Sequence, residues 1–290
     1  MKHDYALLGV VTQPDRGKGR GRQPMPSPIK VLAESNGLPV WQPERVRDES
    51  FLAVLREMAP DVIVVAAFGQ ILPREVLEAP PWGCLNVHPS LLPRYRGAAP
   101  LNWTLIRGEE ITGVTIMVMD AGVDTGDILL QAETPVAANE TFDHLHDRLA
   151  AMGARLLLQA LQNMEAGTAV RRVQEDAQAT YAPRLQKEDG LIRWQARALD
   201  IARLVRGLSS TPGAYTMLAG KTLRIFMAEA EEGPMTEAAG TVVGMTEKGL
   251  RVTASDGHVL LQDVQLEGKK RMPIQDFLRG YRLPDGARLG

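Results

Sequence analysis

Cysteine is almost absent: Cys84 stands alone in 290 residues, which excludes an internal disulfide and a cysteine metal cluster. Its place in an apolar stretch makes it a core residue. Histidine is sparse too. The five histidines, at positions 3, 88, 144, 146 and 258, are scattered, and His144 and His146 sit two apart in a helical pattern, where they point in different directions. No metal site is expected. No apolar run reaches membrane-spanning length and nothing at the start reads as a signal peptide, so the expectation is a soluble, cytoplasmic protein with no membrane partner. Neither sign of charge dominates: 33 basic against 35 acidic residues leave a formal net charge of -2. That excludes a generally basic nucleic-acid coating protein and leaves room for a local basic patch. The GxxxxGK order of a phosphate-binding P-loop is missing, as is the GxSxG frame of a serine nucleophile.

What the chain does have is a dense central stretch from Trp82 to Pro100, WGCLNVHPSLLPRYRGAAP. Trp82 and Gly83 punctuate a short apolar strand that runs directly into His88-Pro89. Pro89 fixes its own backbone and restrains that of His88. Asn86 and His88 lie two residues apart, the spacing that puts both on one side of an extended chain. A hydrogen-bond donor and a proton-handling group could thus face one small substrate atom. Taken one at a time, His88 would serve equally as a strand cap and Asn86 as a turn former. Gly97 leaves room for a close backbone approach.

Around this centre the first half of the chain alternates strands and helices. The apolar runs Tyr5–Thr12 and Asp61–Ala67 read as strands buried on both faces, Val114–Met119 and Ile128–Glu133 as two more. Helical signals follow Ser27-Pro28, run through Phe51–Met58, Ala98–Ile106 and a long stretch from Glu140 to about residue 164. This order predicts an α/β, doubly wound, mostly parallel sheet with loops gathered at strand ends. Between the first strand and helix lies a loop carrying Arg16, Lys18, Arg20 and Arg22 among glycines, with the charge and reach to grip phosphates; an ordinary solvated loop fits its composition equally. Periodicity lapses near residue 169. An amphipathic helix is expected over Trp194–Leu208, and five short strand candidates at 215–218, 222–228, 240–245, 250–253 and 259–264 suggest a small barrel. The expected boundaries are a first domain over 1–168, a linker over 169–192 and a second domain over 193–290. Lys269, Lys270 and Arg271 form a local positive cluster that a solvated turn explains as well.

The stretch HPSLLPRYRGAAP at His88–Pro100, Asn86 just before it, and the later loop Asp120-Ala-Gly-Val-Asp124-Thr-Gly-Asp127 resemble the formyltransferases that use 10-formyltetrahydrofolate. The likeness covers nearly the whole chain. It implies formyl transfer from 10-formyltetrahydrofolate to the α-amino group of initiator methionyl-tRNA, a Rossmann-like catalytic domain and an OB-like second domain that binds tRNA. Formyl transfer is acyl transfer, which needs an oriented donor, a group able to carry a proton near neutral pH and a carboxylate to tune it. The family's Asn-His-Asp set maps onto Asn86, His88 and Asp124. Chemistry alone does not separate Asp120, Asp124 and Asp127; the match to the Asp-Thr-Gly element selects Asp124. On the same resemblance Ser90, Leu91, Leu92, Pro93, Gly97 and Asp120 border the folate, the loop of Arg16, Lys18, Arg20 and Arg22 engages the tRNA acceptor stem, and Lys269, Lys270 and Arg271 join the tRNA contact. It also implies a further strand and helix ahead of Tyr5, so the chain reads as N-terminally shortened. A monomer without metal is expected. The competing readings are a relative acting on an amino sugar nucleotide, a hydrolase releasing formate from the same folate, and a nucleic-acid-binding module with an inactive α/β domain.

Overall fold

The computed structural model describes residues 5–18, 23–284 and 286–290; Arg20 and Arg22 lie outside them. The strands are β1 (Val10–Val11), β2 (Arg16–Lys18), β3 (Gln23–Met25), β4 (Val40–Trp41), β5 (Ile63–Val65), β6 (Cys84–His88), β7 (Ile111–Val118), β8 (Ile128–Pro135), β9 (Ala214–Leu218), β10 (Lys221–Glu231), β11 (Val242–Thr246), β12 (Gly249–Thr253), β13 (His258–Leu266) and β14 (Met272–Pro273). The helices are α1 (Pro28–Ser35), α2 (Glu49–Met58), α3 (Arg74–Leu77), α4 (Pro100–Arg107), α5 (Phe142–Glu165), α6 (Ala198–Gly207) and α7 (Ile274–Gly280). Two units interleave along the chain: Met1–His88, Thr115–Gln131 and Leu156–Gln174 make one, and Pro89–Val114, Ala132–Arg155 and Glu175–Gly290 the other.

In the first unit β1 and β4 pair in parallel, as do β5 and β6. The expected strand over Tyr5–Thr12 is paired only at Val10–Val11, and Leu7 is 62% exposed rather than buried. Pro39 explains the early stop. Its carbonyl accepts from the Val10 amide at 2.9 Å, but it has no N–H to return toward Leu8, so the ladder cannot continue. The strand expected over Asp61–Ala67 is likewise short. Its one described partner is β6, and Val64 remains 43% exposed instead of buried on both faces. Helix α1 begins where the Ser27-Pro28 signal put it: Ser27 Oγ accepts from the Lys30 amide at 3.2 Å. Phe51, Leu52 and Leu55 of α2 pack with Leu72, Val76 and Cys84 to form this unit's core. The central sheet runs β5-β6-β7-β8, which makes β6 an interior strand, parallel to β5 and antiparallel to β7.

The second unit holds a six-stranded antiparallel sheet in the order β11-β12-β13-β10-β9, with β14 on β13. All five strand candidates of this region are strands. Its core gathers Trp194, Ile201, Val205, Leu223, Ile225, Val259, Leu261 and Ile274. The chain's last residues lie between the two ends of that strand path. The amides of Val242 and Leu289 exchange with the carbonyls of Ala287 and Gly240 at 2.8 Å each, while the Gly290 amide donates to Met217 of β9 at 3.0 Å. Helix α6 starts at Ala198, four residues later than its amphipathic pattern suggested, because the Asp256 carboxylate accepts from the Ala198 amide at 2.8 Å and fixes the first turn there. Trp194 is a core anchor ahead of it. Gly207 lets α6 meet α4 closely: a Cβ there would lie 2.7 Å from Ile106, and Asn102 Nδ2 donates to the Gly207 carbonyl at 2.7 Å.

Candidate active site

Strand β6 has neighbours on both sides at Asn86, and at His88 the β7 ladder holds it. Asn86 faces Val65 and Met117, and His88 faces Thr115. Asp124 arrives from the loop between β7 and β8. The Asp124 carboxylate meets both partners: Oδ1 accepts from Asn86 Nδ2 at 3.4 Å, and Oδ2 lies 3.8 Å from His88 Nδ1. The first is a long hydrogen bond and the second an ion-pair separation with imidazolium rather than a hydrogen bond. The His88 and Asp124 side chains are only 5% and 14% exposed, so charge between them is weakly screened.

The loop is built to present that carboxylate. Asp120 Oδ1 accepts from the Gly122 amide at 3.0 Å and from Thr125 Oγ1 at 2.7 Å, closing the first half as an Asx turn. The Val118 amide donates to the Asp127 carbonyl at 2.9 Å and the Met119 amide to the Cys84 carbonyl at 2.7 Å, tying the loop base to β6. At Gly126 a Cβ would sit 1.8 Å from the Val118 carbonyl oxygen; only glycine fits. Asp124 itself has φ +56°, a left-handed conformation uncommon outside glycine, asparagine and aspartate. The three aspartates that chemistry alone left equivalent therefore separate by geometry. Asp120 turns its carboxylate into the loop, Asp127 lends its carbonyl, and Asp124 reaches Asn86 and His88.

Two neighbours of this site were not singled out from the sequence. Thr115, fully buried across from His88, accepts from Gln131 Nε2 at 3.0 Å through Oγ1. Its signal was a polar residue inside an apolar strand. Gln174 donates through Nε2 to the carbonyls of Asp124 at 2.9 Å and Gly126 at 2.7 Å. Nothing local marked it, since it lies where periodicity lapses. Cys84, two residues before Asn86, is fully buried, and burial pushes its thiol up to about 11, so it stays protonated and unreactive as a nucleophile at neutral pH.

The remaining expected residues fall as follows. In the second unit Ser90 is buried and donates through Oγ to the Arg94 carbonyl at 2.8 Å, and Leu92 is buried. Leu91 packs against Gly113, and Pro93 accepts from the Thr180 amide at 3.3 Å. Gly97, at φ +117°, has its close approach to the Ala182 carbonyl, 2.7 Å from where a Cβ would stand. Arg16 is exposed on β2, and Lys18 ends that strand. Lys269, Lys270 and Arg271 are all exposed, and Arg271 is also paired with Asp263 at 2.6 Å and lies 4.3 Å over the Phe226 ring. Among the described residues no group of three or more His, Cys, Asp or Glu side chains is placed to hold a metal ion, and no described helix is long and apolar enough to cross a membrane.

Residues 2–161 match the family profile described as formyl transferase, and residues 184–282 that described as formyl transferase, C-terminal domain. The chain belongs to the formyltransferase family. The methionyl-tRNA formyltransferase of Syntrophus aciditrophicus (strain SB) is 57% identical over 290 residues, spanning all of this chain and 93% of that protein. That of Geotalea daltonii (strain DSM 22248 / JCM 15807 / FRC-32) is 51% identical over 284 residues, 98% and 90% of the two chains. Among solved structures, HypX from Aquifex aeolicus in complex with tetrahydrofolic acid superposes with a TM-score of 0.65 at 20% identity, over 94% of this chain and 47% of that one. The N-formyltransferase from Helicobacter canadensis, in complex with folinic acid and dTDP-3-aminofucose, does so with 0.62 at 18% identity, over 87% of each. At that identity the superpositions speak for the fold alone. It is the formyltransferase fold, an α/β unit whose β1-β4 and β5-β6 pairs are parallel, followed by a C-terminal antiparallel sheet domain.

Proposed function

We propose that this formyltransferase moves a formyl group from 10-formyltetrahydrofolate to the α-amino group of methionyl-initiator tRNA, with Asn86, His88 and Asp124 as its catalytic set. The observation that carries the catalytic assignment is the Asp124 carboxylate placed at once 3.4 Å from Asn86 Nδ2 and 3.8 Å from His88 Nδ1. Full-length identity of about half or more to methionyl-tRNA formyltransferases supports the acceptor.

The donor set suits a formamide carbonyl: a neutral amide N–H, an imidazole and a carboxylate, with no metal required. The folate supplies an activated formyl carbon on nitrogen. Asn86 Nδ2 donates to the formyl oxygen as it gains negative charge, an interaction stronger in the transition state than before it. The new bond joins the methionine nitrogen to the formyl carbon and the bond to the folate nitrogen breaks. The amine proton leaves into the His88–Asp124 pair, and a proton returns to the departing nitrogen. Asp124 lies beside Nδ1 of the imidazole and orients the ring.

Ser90, Leu91, Leu92, Pro93, Gly97 and Asp120 are assigned to the folate by family resemblance, as Arg16, Lys18, Arg20 and Arg22 are to the acceptor stem. Of the C-terminal cluster, Lys269, Lys270 and Arg271 are assigned to tRNA phosphates, Arg271 being exposed while it also pairs with Asp263. The catalytic domain is placed at 1–168, a joining segment at 169–192 and a tRNA-binding domain at 193–290. The enzyme is read as a cytoplasmic monomer.

The deciding assay supplies purified protein with 10-formyltetrahydrofolate and methionyl-tRNA, with a nucleotide-linked amino sugar and a no-acceptor control beside it. Formylmethionyl-tRNA formation that His88→Ala abolishes is the expected result. Formylation of the amino sugar instead, or formate release without an acceptor, would overturn it.

A further inference from the structure

The catalytic loop is pinned from outside its own sequence, fifty residues downstream. Asp120 organises the first half of the loop, but its bonds end at Thr125. The second half depends on the stretch Arg172–Gln174. There the Arg172 backbone exchanges two hydrogen bonds with Ile128, the first residue of β8, at 2.8 and 2.9 Å. That short bridge carries Gln174 under the loop, where its buried side chain, 7% exposed, sends both amide hydrogens to the carbonyls of Asp124 and Gly126 at 2.9 and 2.7 Å. Two carbonyl acceptors leave the amide one orientation, nitrogen toward the loop.

We propose that Gln174 is the positioning residue that keeps the Asp124 carboxylate facing Asn86 and His88, an inference that rests on the catalytic role given to Asp124 above. Three features converge on it. Asp124 sits at φ +56°, a left-handed conformation that aspartate tolerates, and its carbonyl is held there by Gln174. Gly126 is pressed against the Val118 carbonyl while its own carbonyl accepts from Gln174, so β7 and the Gln174 amide both hold this loop segment. The same bridge supports the histidine arm too: the Arg172 guanidinium donates to Gln131 Oε1, and Gln131 Nε2 donates to Thr115, the cross-strand partner of His88. Gln174 touches no reacting atom; it acts through the Asp124 backbone, whose φ and ψ set where the carboxylate points.

Gln174→Met keeps the volume and removes the donor, while Gln174→Glu also turns an acceptor toward two carbonyl oxygens. In the formylation assay, Gln174→Met is expected to lower kcat about tenfold or more, with both KM values within about twofold, because misplacing a catalytic group costs rate more than binding. Gln174→Glu should be worse. The decisive comparison places Gln174→Met in an Asp124→Asn background under single-turnover conditions, where it should change the rate less than about twofold. An equal loss in both backgrounds overturns the positioning role and leaves the catalytic set standing. Full activity of Asp124→Asn itself removes the catalytic role of Asp124, and this inference with it. Should Gln174→Met not fold, Gln174→Asn retains the amide one methylene short and is read in the same cycle.

Discussion

The carboxylate of Asp124 is shared between Asn86 and His88, one oxygen to each, at 3.4 and 3.8 Å. Loss of any one member should therefore disturb the other two. Asn86→Ala removes the donor to the developing oxyanion and is expected to lower kcat about 10²- to 10³-fold, as loss of one such donor does elsewhere. His88→Ala should cost at least about 10²-fold, the lower reach of general acid–base catalysis. The three single variants and their pairs, measured by rapid quench, should be far from additive. Additive losses would mean three independent residues rather than one set.

Gly126 offers a test of the loop without touching a side chain of that set. A Cβ there would stand 1.8 Å from the Val118 carbonyl oxygen and 3.3 Å from the Asp120 amide nitrogen, so Gly126→Ala must push the loop off β7. It is expected to cost about 1–3 kcal/mol of stability, the usual range for overpacking, and to depress kcat. Gly280→Ala is the control. Nothing lies within 4 Å of a Cβ at that position, its φ is not left-handed and it ends α7, so thermal midpoints of the two variants should move apart.

Asn86 and His88 were legible in the sequence because their relation is local: a strand puts i and i+2 on one side whatever surrounds it. The α1 start was legible for the same reason, its serine cap and proline being adjacent. What the sequence concealed was long-range. Tyr5–Thr12 has the composition of a buried strand, but Pro39, on the partner, ends the pairing. The start of α6 depends on Asp256, more than fifty residues farther on. Gln174 belongs to the same class, a polar residue in an aperiodic stretch whose partners are loop carbonyls. Arg271 read only as part of a local positive cluster, because Asp263 and Phe226 are brought to it by the sheet.

Cys84 gives a pH-dependent prediction. Its thiol is fully buried, donates toward the Val76 carbonyl at 3.4 Å, and is pushed by burial from 9.0 to about 11. Between those values the folded protein keeps a proton that the unfolded chain has released, so the unfolded state binds fewer protons and stability falls as pH rises. This contribution is intact below about pH 9 and diminishes up to about pH 11. Urea unfolding of the wild type should lose about 1 kcal/mol more than Cys84→Ala between pH 8 and pH 10. Parallel curves would refute it. At pH 8 in buffer the thiol should resist iodoacetamide, and in urea it should react.

The C-terminal sheet depends on its last residues in a way that one substitution can expose. Leu289 is 3% exposed and packs into the core around Trp194, while Arg288 beside it points to solvent. The backbone on both sides of Leu289 is committed as well, through the Leu289 amide to Gly240 and the Gly290 amide to Met217. Leu289→Ala removes the side chain that keeps this segment seated and should cost about 2–5 kcal/mol, the range for large-to-small changes in a core. Arg288→Ala should cost within about 0.5 kcal/mol, since it leaves the backbone bridge to Thr241 in place. Hydrogen exchange distinguishes loss of a side chain from release of the segment. If the Leu289 contact seats the tail, then the Val242, Leu289 and Gly290 amides should all exchange faster in Leu289→Ala, because Val242 donates to Ala287 and loses its acceptor when the tail lifts. Faster exchange confined to Leu289 would show a tail held by its backbone alone.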